Sequence, residues 1–326
     1  MSRPREDGIV IGTLEPGPRN SIADVGVTVG HVTVERTGVT AVVPPSLPLP
    51  AGTAVLNGAG ELTGSLEIRE WGLLETAVYL TSTHAVGRVY DGAVSVAMAA
   101  DPRVGVDDVV IPVVGECDDS WLSDARIRHV QPDDVGRAVS DAKADFEQGA
   151  VGAGAGMSCF DWKGGIGSSS RRAGAHTVGV LLLTNFGSRE QLRVDGVSVG
   201  ELLDERPDEA LAPGGSCIAV VATDAPLTPP QLERLARRAG LGLARAGSVA
   251  HHGSGEIFVA FATSDARAFR DRELDPLFQA TVDATEEAVL CSLWAAVDTT
   301  GREGRLVRAL PREKVLELYL GRQGPS

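Results

Sequence analysis

The chain has 326 residues, a net charge of −14 and 43% hydrophobic residues, enough for a large core and too apolar for wholesale disorder. Its acidic balance argues against nucleic acid and anionic membranes as partners, since both are bound through Lys and Arg. The 39 glycines and scarce aromatics favour tight turns and closely packed layers filled with Ala and Val. No run approaches the ~20 apolar residues of a membrane span. The first ten residues lack the apolar stretch of a secretion signal, so the expected location is cytoplasmic. Cys117, Cys159, Cys217 and Cys291 are widely spaced with no Cys-x-x-Cys pair, which predicts small buried thiols, no disulfide framework, no metal and no cofactor.

Residues 20–26 form a polar turn leading into an alternating run that ends at His31, read as a surface or capping histidine. Residues 32–34 and 39–43 have strand composition, and the prolines at 44, 45, 48 and 50 mark a surface loop. Residues 56–64 are a Gly-rich connection. It reads as a tight turn rather than a phosphate loop, because the Lys-Ser/Thr and strand–helix fingerprints are missing. Trp71, Leu74 and Val78 recur at helical spacing and predict a helix ending at residues 81–84. His84 is either an acid–base group or a hydrogen-bonded structural histidine. Residues 93–98 and 109–114 read as strands, with Pro112 marking an edge or a bulge. The acidic loop 116–121 follows, its carboxylates available to a substrate ammonium or to solvent. Residues 132–134 open a helix with Val135, Ala138, Val139, Ala142 and Phe146 on one face.

Gly152, Gly154 and Gly156 have the spacing of a nucleotide loop, but no helical pattern follows, so close backbone packing is expected. Residues 177–184 are a buried strand ending at Asn185, which either offers a side-chain N–H to an oxyanion or forms a turn ahead of Gly187. Residues 188–211 are charged and read as an exposed linker. A Pro/Gly approach over 212–215 then stops at Ser216, and an apolar, β-branched run follows as a buried strand. Thr228 and Gln231 form a capping box for a helix with Leu232, Leu235, Ala236 and Ala239 buried and Gly240 as its stop. The Gly-flanked pair Ser254 and Glu256 leads into a buried run over 257–262. A long helix from Pro276 carries Phe278, Val282, Val289 and Leu293, and a short one spans about 311–320. Sheets mixed with helical layers predict α/β or α+β packing.

Ser216 reads either as ordinary turn chemistry or as a nucleophile. A serine hydroxyl needs a base, and no Gly-x-Ser-x-Gly elbow surrounds it. Cleavage of the Gly215–Ser216 bond would free an α-amine titrating near ~7.7–8.0, suited to general-base work. Gly215 tolerates the strained torsions such a step needs and leaves its carbonyl open to Oγ.

Several segments together resemble the L-aminopeptidase/D-amino-acid esterase-amidase family, which includes the β-aminopeptidases. They are residues 20–25, 57–64, 83–87, 163–167 with Ser170-Arg171, 215–216 with 221–227, and 253–256, covering nearly the whole chain. The resemblance implies an α+β fold, a four-layer αββα sandwich of N-terminal-nucleophile type. It implies a single domain over 1–326 that cuts itself into chains 1–215 and 216–326. It assigns Ser216 as nucleophile, Asn185 as oxyanion donor, and Ser254 with Glu256 as a relay, the free α-amine being the competing base. Substrates would be short peptides, amides or esters with a free amine, Glu116 would receive that amine, and the processed units would form a homo-oligomer. One departure is that no tyrosine lies near the acidic loop, where some relatives place one beside the oxyanion. The competing expectations are an acyltransferase similar to ornithine acetyltransferases, which use threonine, and a non-catalytic assembly protein on the same fold.

Overall fold

The computed structural model describes residues 3–204, 215–265 and 269–323. From the amino terminus come β1 (Thr28–Val34), β2 (Thr37–Val43), β3 (Leu49–Gly58), α1 (Ser65–Trp71), β4 (Leu73–Leu74), β5 (Val78–Ser82), α2 (Val86–Ala100), β6 (Val113–Cys117) and α3 (Asp133–Ser140). The short ribbon β7 (Ser158–Cys159) and β8 (Trp162–Lys163) precedes β9 (Gly165–Ala173), β10 (His176–Asn185) and the single turn α4 (Val199–Leu202). Then follow β11 (Gly215–Thr223), α5 (Pro229–Arg245), β12 (Ser254–Ala262), α6 (Asp275–Trp294), the ribbon β13 (Thr299–Thr300) and β14 (Leu306–Val307), and α7 (Arg312–Gln323).

Two sheets stack face to face. One has the order β1-β2-β5-β6, the other β4-β3-β12-β11-β10-β9. Alternation along β11 shows how the layers form, since successive side chains point to opposite faces. Ile218 and Val220 enter the core between the sheets with Val29, Val42 and Leu80. Cys217, Ala219 and Val221 enter the core beneath α5 and α6. A third core packs α2 and α3 on the outer face of the smaller sheet through Val89, Ala93, Val135 and Ala138. The result is the expected αββα sandwich.

Several local expectations fail for identifiable reasons. The helix with Trp71 stops there, because Gly72 takes a left-handed φ of 71° and donates its N–H to the Ile68 carbonyl. Leu74 and Val78 belong to strands. Residues 93–98 lie inside α2, where Val89, Ala93 and Val96 share one face at i, i+4 and i+7. Strand β6 begins only after Pro112, whose ring nitrogen cannot join a ladder, and runs through Glu116 and Cys117, so Glu116 is a strand residue. Helix α3 ends at Ser140, leaving Ala142 and Phe146 beyond it. Residues 188–204 are not an exposed linker: Leu192, Val194 and Val199 enter the core, and the buried Arg189 donates to the carbonyls of Gly200 (3.0 Å) and Leu203 (2.8 Å). Residues 205–211 of that expected linker, and the approach over 212–214, lie outside the described residues. Gly240 does not stop α5; a side chain there would press on Leu56 and Phe258, so the glycine serves close packing within the helix. The Thr228–Gln231 capping box is present. His31 is half-buried, its ring nitrogens meeting Thr40 Oγ1 (2.9 Å) and the Glu147 carbonyl (3.1 Å), and burial lowers its pKa to about 4. The four cysteines are free and buried. Among the described residues no helix is long and apolar enough to cross a membrane.

Candidate active site

The site lies at the ends of three neighbouring strands of the larger sheet. Antiparallel pairing of β10 with β11 sets Asn185 directly opposite Ser216. Parallel pairing of β11 with β12 sets Ser254 opposite Gly215 and Glu256 opposite Cys217. Adjacent strands lie about 4.8 Å apart, so sheet register gathers residues that are remote in sequence. Gly215 is required at this junction, because a Cβ would lie 2.2 Å from the Asn185 carbonyl oxygen.

Ser216 is nearly buried and donates its hydroxyl to the carbonyl oxygen of the preceding residue, Gly215, at 2.7 Å. Asn185 is held at both ends of its amide: Oδ1 accepts the Ser158 N–H (3.0 Å) and Nδ2 donates to the Asp118 carbonyl (2.9 Å). A carboxamide carries two N–H donors, so one remains beyond that bond. Ser254 donates its hydroxyl to Glu256 Oε1. Glu256 Oε2 is buried with no partner, and burial raises the Glu256 pKa against the opposing effect of the Ser254 hydrogen bond. Among the described residues no side-chain hydrogen bond joins either member of this pair to the Ser216 hydroxyl, which is turned to Gly215. Cys217, next in the chain, is no rival nucleophile: burial, then the Glu256 charge, push its thiol well above its ordinary pKa.

A cleft of about 670 Å³ opens over these strand ends, and Ser216, Asn185 and Glu116 line it. Ser254 and Glu256 lie behind the lining, 2% and 1% exposed. Glu116 accepts the Glu61 N–H at 3.0 Å and the Thr83 hydroxyl, while burial raises its pKa. The cleft therefore contains a hydroxyl, a carboxamide donor and a carboxylate held in place by two hydrogen bonds.

A model of peptidase family S58 matches residues 20–307. The chain belongs to peptidase family S58. It is 38% identical to the β-peptidyl aminopeptidase BapA of Sphingosinicella microcystinivorans, over 92% of this chain and 88% of that protein. Among solved structures it superposes on a Burkholderia sp. β-aminopeptidase with TM-score 0.91 at 39% identity, covering all of both chains. It also superposes on the L-aminopeptidase D-Ala-esterase/amidase of Ochrobactrum anthropi, with TM-score 0.91 and 34% identity over 99% of each chain. That enzyme is described as a prototype for the serine aminopeptidases and a new variant of the Ntn hydrolase fold.

Of the segments that carry the resemblance, 57–64 and 83–87 bring Ala59, Gly60, Glu61, Thr83 and His84 to the cleft beside Glu116, and 215–216 and 253–256 bring Gly215, Ser216 and Gly253. Residues 20–25, 163–167 and 170–171 are scaffold: Asn20 and Asp24 bind Ser170, and the fully buried Lys163 donates to the carbonyls of Gly154, Met157 and Gly164. Burial lowers the Lys163 pKa to about 7. Sequence reasoning missed Trp121, Arg302 and Arg305 as cleft residues. The only available signal was Gly301-Arg302-Glu303-Gly304-Arg305, two arginines in a glycine-bounded turn, and nothing in it points to the strand ends it faces.

Proposed function

We propose that this S58 aminopeptidase and amidase uses Ser216 as its nucleophile after cutting its own Gly215–Ser216 bond. The supporting observation is the junction itself: a serine hydroxyl 2.7 Å from the oxygen of the carbonyl it is to attack, opposite a held carboxamide. In the first step Oγ attacks the Gly215 carbonyl carbon, the C–N bond breaks, and the freed nitrogen takes a proton. Water then hydrolyses the Gly215 ester, leaving a carboxylate at 215 and an α-amine at 216. In turnover Oγ attacks the substrate carbonyl, Asn185 donates to the oxyanion, and the leaving amine takes a proton. Water then releases the acyl group from Ser216. Glu116 receives the substrate's free ammonium. Ser254 and Glu256 are the relay that accepts the Ser216 proton during self-cleavage, and the new α-amine joins them as base in turnover.

The substrates are short peptides, amino-acid amides or esters. The processed chains 1–215 and 216–326 stay together as one domain and assemble as a homo-oligomer; the exposed Val106 and Val109 supply apolar surface for that contact. A cytoplasmic setting suits the four free thiols. Denaturing mass analysis of purified protein tests the reading: two fragments meeting at Gly215–Ser216 are expected. A single intact chain inert towards aminoacyl anilides would instead favour the non-catalytic assembly protein.

Glu256 gives a pH test. Its raised pKa places loss of its proton above the ordinary glutamate value of about 4.3. Activity should therefore climb with pH through an acid limb shifted upward from that value, as the carboxylate forms and can accept a proton. Glu256→Gln should lower kcat and remove the limb. A limb that persists unchanged in Glu256→Gln assigns it to the α-amine.

A further inference from the structure

The cleft is charged at both ends, and the chain from Glu116 to Leu122 sets their order. At 116 is the carboxylate beside Glu61 and Thr83. At 118 is the carbonyl that holds Asn185, opposite Ser216. At 121 and 122 are contacts with two arginines. The Arg305 guanidinium lies 4.4 Å from the Trp121 ring centroid and donates to the Trp121 carbonyl at 3.2 Å. The Arg302 backbone N–H donates to the Leu122 carbonyl at 2.8 Å. In chain order the contact to Asn185 falls between an acidic contact and a basic one, and Glu116, Asn185, Arg302 and Arg305 all line the same cleft as Ser216.

The basic end is a rigid turn. Glu303 and Gly304 hold left-handed φ values of 58° and 76°. The turn is closed by Gly301 N–H to the Arg305 carbonyl (2.8 Å) and Arg305 N–H to the Arg302 carbonyl (3.1 Å). Gly301 presses on the acidic loop so closely that a Cβ would fall 2.3 Å from the Leu122 carbonyl oxygen. Both guanidiniums share one carboxylate, Glu303, at 3.1 and 3.0 Å. Two positive charges against one negative leave a positive charge uncompensated, and the adjoining Arg126–Asp124 pair is neutral in sum. Arg302 Nε is buried with no partner. Of the other cleft carboxylates, Asp118 accepts from Ser120 and Asp161 from the Arg189 N–H, while Glu61 neighbours Glu116 at the acidic end.

We propose that Arg302 and Arg305 form a subsite for a substrate carboxylate, across the scissile bond from the ammonium held at Glu116. The ligand is the free C-terminal carboxylate of a dipeptide or tripeptide, a zwitterion matching the two poles of the cleft. Guanidinium groups suit this role because their fixed donors meet a carboxylate in pairs and stay charged at any working pH. The inference rests on Ser216 as nucleophile and Glu116 as amine site.

The test compares kcat/KM for an alanyl dipeptide and for its C-terminal amide. The wild-type protein is expected to favour the free acid by about tenfold or more. Arg302→Gln and Arg305→Gln should each cut that ratio about tenfold, and Arg305→Lys should restore part of it. Equal values for acid and amide in the wild type, or variants that lower both alike, overturn the proposal. Anilides of Asp and Asn separate the other source of a carboxylate: an arginine-dependent preference for Asp, with none for the dipeptide acid, moves the subsite to the N-terminal side chain and overturns the C-terminal assignment. If the wild-type protein turns over nothing, the nucleophile assignment fails separately. Calorimetric binding of the same dipeptide and amide then decides the subsite: tighter, arginine-dependent binding of the acid supports it, and equal affinities sink it.

Discussion

Ser216→Ala is expected to remain a single chain of 326 residues and to lose aminoacyl-amide hydrolysis by about 10⁴-fold or more. Both losses follow from one atom. Without Oγ no bond can form to the Gly215 carbonyl carbon, so the α-amine at 216 is never released. The variant thus lacks the nucleophile and also the base that the nucleophile creates. Its fold should survive. The deleted hydroxyl makes one hydrogen bond, to the Gly215 carbonyl, and such a bond contributes about 1 kcal/mol net. Thermal unfolding that matches an unprocessed wild-type sample would show that the loss is chemical. Ser216→Thr sharpens the comparison by keeping a hydroxyl beside Gly215. Slow but detectable cleavage there, with none in the alanine variant, ties self-cleavage to Oγ. Cleavage of the alanine variant at the same bond would refute the mechanism.

What could be read from the chain depended on whether the signal was local. Strands β10, β11 and the apolar part of β12 are legible because they are buried on both faces and so read as unbroken apolar runs. The start of α5 is legible because Thr228 and Gln231 satisfy orphan N–H groups within one turn. The misread helix at 71–78 spans Gly72, where the backbone leaves helical space, and the misread strand at 93–98 is a helix face whose partners lie on α3 and the smaller sheet. Ser216, Asn185, Ser254 and Glu256 were each visible as polar groups at strand ends. Their convergence was not, because it depends on the β10–β11–β12 register, which is decided by packing between sheets. Glu116 was found with the wrong local structure: it belongs to β6, whose pairing with β5 places it beside Thr83. Arg302 and Arg305 had only a weak local signal, two arginines in a glycine-bounded turn, with nothing to place them at the cleft. Their position follows from Gly301 docking on Leu122, a contact between distant loops.

The second large effect lies away from the cleft. Arg171 on β9 and Glu287 on α6 form an ion pair in which neither side chain is exposed. Asn20 Nδ2 also donates to Glu287, and Arg171 donates to the carbonyls of Ile11 (2.8 Å) and Ser170 (2.7 Å). Arg5 lies 3.6 Å from the same carboxylate, more exposed and more distant. Removing one partner strands a buried charge, which typically costs about 3–5 kcal/mol. Glu287→Ala is therefore expected to lose stability by that amount. Arg171→Met with Glu287→Leu should lose less than the two single changes together, since no unpaired charge remains between those positions. Denaturant unfolding should be measured in the Ser216→Ala background, where one continuous chain permits two-state treatment. Single variants within about 0.5 kcal/mol of the parent would show that water or Arg5 replaces the lost partner. The same double change in an otherwise wild-type chain distinguishes scaffold from site. β9 pairs with β10, which ends at Asn185, so a folded protein with the pair replaced should still cleave itself and turn over substrate at temperatures below its unfolding. Loss of activity in a fully folded double variant would instead mean that the Arg171–Glu287 pair holds the register that places Asn185 opposite Ser216.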